Sequence, residues 1–276
     1  MRTTPALILL GISLAAAASA QVEFSAKLTH SELLLCEPVP VVVTLQNKMP
    51  TALVAGDTQG YSLVFEVTGR DGLLVRQRPE EALPELPEIP AGGTVIITND
   101  LQALFPLSSH SMLGVRARLT LGNRSYVTEK MFFDILPGSE IARLQARASD
   151  GELRTFSLRV LNREKRDRLF LRVGNEGETL CYGVSDLGRF VRLGKPAIEL
   201  DAQGRVHVLH LTGPNQFSYS VHASDAGVLS RKTFEGDVSM VRLVPDGEGG
   251  FRVTGMGQLS PRRDPMVEPL PIRRGL

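Results

Sequence analysis

The chain has 276 residues and carries 31 Lys and Arg against 30 Asp and Glu, a net charge of +1. So even a balance supplies no field to gather nucleic acid or an anionic membrane. With no tryptophan and only four tyrosines, the chain has few aromatic faces on which sugars or single-stranded nucleic acid could stack.

The N-terminus reads as a leader. Arg2 precedes an apolar stretch from Ala6 to Ala17, and Ala18-Ser19-Ala20 offers the small residues a signal peptidase recognises. Residues 1–20 are therefore expected to be a signal peptide cleaved before Gln21, with the remainder secreted or periplasmic. The apolar run is shorter than the roughly 20 residues a bilayer span requires, and no membrane span is expected after cleavage.

Residues 22–137 read as a β-sandwich, with short alternating runs broken by turn residues. The expected strands run through Val22-Phe24-Ala26, Val39 to Leu45, Tyr61 to Val67, Leu73 to Val75 after an Asp71-Gly72 turn, Thr94 to Thr98, Val115 to Leu121, and Tyr126 to Leu136. A proline-rich loop holds Pro79, Pro84, Pro87 and Pro90. Seven strands in about 115 residues suit an immunoglobulin-like sandwich. The run Gly93-Thr94-Val95-Ile96-Ile97, then Asp100-Leu101, Leu104-Phe105 and the pair around Val115 to Ile135, resembles the layout of exported bacterial immunoglobulin-like domains. In those domains a Pro-Gly-Tyr opens the penultimate strand, where this chain has His110-Ser111-Met112 and Gly114-Val115. The resemblance implies a spacer, adhesive or protein-binding module.

Pro137-Gly138 marks the expected boundary. Beyond it Ala142, Leu144, Ala146 and Ala148 alternate with polar residues, turn at Asp150-Gly151 and continue as Phe156, Leu158 and Val160. That pattern is a hairpin, with a short helix capped by Ser139 as the competing reading. Leu169, Leu171, Leu180, Tyr182 and Val184 then reappear 37 residues on as Val206, Val208, Phe217, Tyr219 and Val221, and Asp186-Leu187-Gly188 returns as Asp225-Ala226-Gly227. A further echo links Asp201–Val206 with Asp246–Val253. A period near 40 suggests repeated four-strand units. The stretch Asp201 to Ser230 resembles β-propeller blades, in which an Asp-rich turn precedes a strand like Val206-His207-Val208. Residues 139–259 have room for about three such blades, fewer than a closed ring usually needs, so an open stack, closure by oligomerisation and chance likeness are all open, the stack being favoured. Residues 260–276, with Arg262, Arg263, Arg273 and Arg274 among four prolines, read as an extended tail.

Catalytic and metal patterns are sparse. There is no Gly-x-Ser-x-Gly elbow and no phosphate-binding loop, and Gly183-Val184-Ser185 lacks the second glycine. His207 and His210 fall on opposite faces of one strand. The one plausible ionisable set is His207, His222 and Asp225. Cys36 and Cys181 lie in different expected domains and read as unpaired thiols, with a disulfide as the alternative.

The expectation is an all-β chain, an immunoglobulin-like sandwich plus a C-terminal antiparallel β-meander domain of about three blade-like repeats. It has no cofactor, no metal and no catalytic residues, and it binds a protein of the cell envelope through the proline loop or the arginine tail. The alternatives are an exported protease inhibitor or sensor domain and, behind both, a hydrolase.

Overall fold

The computed structural model describes residues 21–56, 60–79, 85–107, 112–148 and 151–256. The expected leader 1–20, the tail 260–276 with Arg262, Arg263, Arg273 and Arg274, the residues Pro84, His110, Ser111 and Asp150 all lie outside them.

The described chain is nearly all β, in several antiparallel sheets without a closed barrel. Strands β1 (Val22–Leu28), β3 (Pro40–Asn47) and β5 (Thr94–Asp100) form one sheet in the order β1-β3-β5. Strands β2 (Glu32–Leu34), β8 (Met131–Leu136), β6 (Met112–Leu121) and β4 (Tyr61–Thr68) form a second in that order, with β7 (Arg124–Val127) also on β6. Strict alternation in β3 turns Val41, Val43 and Leu45 inward. They meet Leu63, Phe65 and Val67 of β4, Val115 and Ala117 of β6 and Phe133 and Ile135 of β8 in sandwich-like packing. Each of the valine, leucine, isoleucine and phenylalanine side chains among them contributes about 1.5–3 kcal/mol by leaving water. A one-turn helix, α1 (Leu101–Leu104), follows β5; Asp100 caps it by accepting from the Gln102 N–H at 2.9 Å.

Two expected strands differ. Leu73 to Val75 makes only an isolated bridge, Thr68 to Leu74, because Leu73 and Leu74 are each 69% exposed and have no core to face. The single return strand from Tyr126 to Leu136 is instead β7 and β8, interrupted where the Thr128 hydroxyl accepts from the Ala117 N–H at 3.0 Å. The parallel pairing of β2 with β8 had no sequence signal, since three residues carry no periodicity.

After Pro137-Gly138 the chain builds two four-stranded meanders. The first comprises β9 (Ser139–Arg147), β10 (Leu153–Arg163), β11 (Arg166–Asn175) and β12 (Cys181–Arg189), so residues 139–163 are the hairpin and not a capped helix. The second comprises β13 (Ala197–Leu200), β14 (Val206–Gly213), β15 (Gln216–His222) and β16 (Val228–Glu235), and a hairpin of β17 (Arg242–Pro245) and β18 (Phe251–Thr254) follows. These layers stack. Phe156, Leu158, Leu169, Leu171 and Val173 of the first meander pack on Val206 and Val208 of the second. Leu209, Leu211, Phe217 and Val221 on its reverse face pack on Val241 and Val253 at the hairpin.

The 37-residue repeat does not coincide with these units. It aligns β11 and β12, the last two strands of the first meander, with β14 and β15, the middle two of the second. Alternating apolar residues recur in any buried hairpin, which is why the match slips by one strand. The Asp-x-Gly likeness is chemical: Asp186 accepts from Gly188 N–H at 2.8 Å and Asp225 from Gly227 N–H at 2.9 Å. Yet the first sits in a bulge within β12 and the second in the β15–β16 turn. The Asp201 and Asp246 echoes do form one turn type. Each carboxylate accepts from the N–H groups two and four residues on, at 2.8–2.9 Å, and the turns join through Ala202 N–H to the Gly249 carbonyl at 2.9 Å.

The two halves meet at a charged seam. Glu37 and Arg163 pair at 2.5 Å, both buried, beside an apolar contact of Leu34 with Leu161 and Phe170.

Inside the second meander His210 and His222 are fully buried, and burial pushes both down to about 4. Their unfolded value is near 6.5, so between the two values the native state binds fewer protons than the unfolded chain. The stability they contribute is complete above about pH 6.5 and is lost as pH falls toward 4, at about 1.4 kcal/mol per pH unit for each. Urea unfolding across this range is expected to show that loss, and His210→Leu is expected to reduce the slope by one histidine's share.

Candidate functional site

A groove of about 580 Å³ lies over the outer face of the second meander, between β16 and the β17–β18 hairpin. Antiparallel register decides what faces it. His207 of β14 pairs with Val221 of β15, and Tyr219 of β15 pairs with Lys232 of β16, so His207, Tyr219, Lys232 and Phe234 share this side. Phe251 of β18 closes the far wall. The rings form a row: Phe251 lies 5.3 Å from His207, His207 5.9 Å from Tyr219, and Tyr219 6.4 Å from Phe234. Such spacing suits tilted aromatic contact.

Beneath the row runs a chain of hydrogen bonds. Asp201 Oδ2 lies 2.8 Å from His207 Nε2, and His207 Nδ1 lies 2.6 Å from the Tyr219 hydroxyl. With the carboxylate accepting the Nε2 proton, Nδ1 accepts from Tyr219. The Tyr219 oxygen also lies 3.2 Å from the Phe251 carbonyl. Burial would raise the Asp201 carboxyl, but His207, the Arg205 N–H and the Arg205 guanidinium at 2.6 Å together hold it below its usual range. Burial raises the Tyr219 hydroxyl. Both nitrogens of His207 are thus engaged, and neither is open to take a proton from a groove-lining hydroxyl such as Ser230. The arrangement holds a rigid floor. At the rim stand Lys232 and Arg252, both exposed.

The expected set of His207, His222 and Asp225 is not assembled. His222 pairs with Val206 and lies on the opposite face from His207, where its Nδ1 is 3.2 Å from the Ala226 carbonyl and its Nε2 is 2.9 Å from the Ser220 hydroxyl. Asp225 is exposed and bonds its own turn. Gly183 is needed for packing, since a Cβ there would collide with the Asp225 carbonyl. Pro79, Pro87 and Pro90 are exposed, and the carbonyls of Pro87 and Pro90 accept from Tyr61 at 2.6 Å and Asn47 at 3.1 Å. The end of that loop from Pro87 to Pro90 is therefore pinned to the sandwich-like half. Among the described residues no group of three or more His, Cys, Asp or Glu is placed to hold a metal ion, and no helix is long and apolar enough to cross a membrane.

Asp201 and Tyr219 were missed as partners of His207. The signal available was the Asp-led turn six residues before it, but the pairing of β14 with β15 that delivers Tyr219 depends on register.

Asp201→Ala removes four charge-assisted bonds at a buried position and leaves His207 Nε2 without its partner. Its expected cost is about 3 kcal/mol, read by urea unfolding, whereas Asp246→Ala in the exposed matching turn is expected to cost distinctly less. Asp201→Asn, which keeps an acceptor, is expected to fall between them.

No protein-family model matches the chain, and no curated protein matches it at a significant level.

Proposed function

We propose that the chain is an exported, non-catalytic binding module of the cell envelope whose groove takes an extended, acidic segment of a protein partner. The groove carries this reading. Its floor of Phe251, Tyr219 and Phe234 seats an apolar side chain, and Lys232 and Arg252 at the rim suit carboxylates. Alongside runs β16, an edge strand that pairs with β15 on one side and with no named strand on the other among the described residues. An open edge offers backbone N–H and C=O groups to an added strand, so main-chain bonds supply affinity and the groove supplies selectivity.

Other features support parts of the reading. The leader-like residues 1–20 support export. The likeness of the first half to immunoglobulin-like domains and of the second to stacked blades supports recognition work, since both kinds of module present loops and edges to other proteins. Engagement of both His207 nitrogens in structural bonds supports a role without catalysis.

The test is titration calorimetry with extended peptides that alternate glutamate and phenylalanine, against a lysine-for-glutamate control. The acidic peptide is expected to bind, to weaken with salt, and to lose about tenfold or more in affinity with Lys232→Glu and Arg252→Glu together. Equal binding by the double variant, or preference for the basic control, overturns the reading.

A further inference from the structure

Cys36 and Cys181 are the only cysteines in the chain, and the seam between its halves sets their thiols beside one another. Cys36 sits in the turn after β2, where the Glu37 N–H donates to the Leu34 carbonyl at 2.9 Å. Its φ is 72°, in the left-handed region that favours glycine. A side chain kept at a strained position points to a use for it. Cys181 opens β12, its sulfur 3.8 Å from the Gly183 carbonyl. Both are half-buried and neither is in a disulfide. Arg172 and Arg159 border the sulfurs, and Glu178 holds both guanidiniums, at 3.1 and 3.0 Å. The buried Glu37–Arg163 pair lies next in sequence to Cys36.

We propose that Cys36 and Cys181 form a thiol pair that exchanges with a small-molecule disulfide and closes as a covalent clasp between the two halves of the chain. The Cys36 thiolate attacks one sulfur of the small disulfide. That S–S bond breaks, one half leaves as a thiolate that takes up a proton, and a mixed disulfide remains on Cys36. Cys181 then gives up its proton and attacks the Cys36 sulfur, and the second half leaves as a thiol. Two protein thiols are oxidised, and one small disulfide is reduced to two thiols.

The order of attack follows from the surroundings. The adjoining Cys181 thiol, with Arg172 and Arg159 adding to its effect against that of burial, holds the Cys36 thiol down to about 6. The same pairing, with burial, pushes the Cys181 thiol up. At neutral pH the nucleophilic thiolate therefore resides on Cys36, and Cys181 resolves the intermediate. The site is independent of the groove over β16.

The experiment incubates the folded full-length chain with oxidised glutathione, quenches with acid, alkylates the remaining thiols and reads intact mass and linked peptides. The wild type is expected to lose both alkylatable thiols, keep no glutathione and yield a Cys36–Cys181 linked peptide. Cys181→Ser is expected to trap glutathione on Cys36, and Cys36→Ser to be modified about tenfold more slowly or less. Cys36→Gly, which suits the left-handed turn, is expected to keep the native circular dichroism and form no clasp. Wild-type chain that retains both thiols, traps glutathione on Cys181, or links only between molecules overturns the proposal.

Discussion

The middle strands of the second meander are buried on both faces apart from the floor of the groove, and much else follows from that. Residues Val206 to Leu211 of β14 and Phe217 to His222 of β15 are buried without interruption, where a half-exposed antiparallel strand would alternate. One face is covered by the first meander and the other by the β17–β18 hairpin. A polar side chain on either strand then has only protein to bond to, and leaving it unmet costs about 1–3 kcal/mol. His207 meets this demand through Asp201 and Tyr219, and His222 through Ser220 and the Ala226 carbonyl. The Asp201 turn is therefore part of the core's polar accounting as well as a way to reverse the chain.

The first meander faces a related problem with a different solution. Its inner side is apolar, but the side turned toward the N-terminal half carries Arg159, Arg163, Arg168 and Arg172. Carboxylates neutralise them: Glu178 and Glu140 hold Arg159, Glu37 holds Arg163, and Asp186 holds Arg168. Buried ion pairs add little net stability over an apolar contact, yet breaking one leaves a charge stranded. The seam is consequently selective about register. Sliding the halves would separate Glu37 from Arg163 and Cys36 from Cys181 together.

The groove shows why overall composition is a weak guide to a surface. Aromatic residues are only 5% of the chain, but three of them and His207 stand in one row. They come from β14, β15, β16 and β18, strands whose side chains share a face only through their pairing and stacking. A charge near zero likewise hides Lys232 and Arg252 on one rim.

Local chemistry alone determined the strand class, most strand positions and the turns. Val41, Val43 and Leu45 alternate because a pleat turns every second residue inward. Asp201, Asp225 and Asp246 read as turns because a short carboxylate bonds N–H groups close by in sequence. Tertiary structure decided which strands are neighbours, and hence everything that depends on distance between them. The apolar repeat slipped by one strand because alternation says that a strand is half-buried and not against what. The set of His207, His222 and Asp225 dissolved because adjacent registers sent the two histidines to opposite faces. His207 found Asp201 and Tyr219, and Cys36 found Cys181, through sheet pairing and a seam formed by residues far apart in sequence. Periodicity carries the direction of a side chain relative to its own strand; it carries no information about the surface that strand will meet.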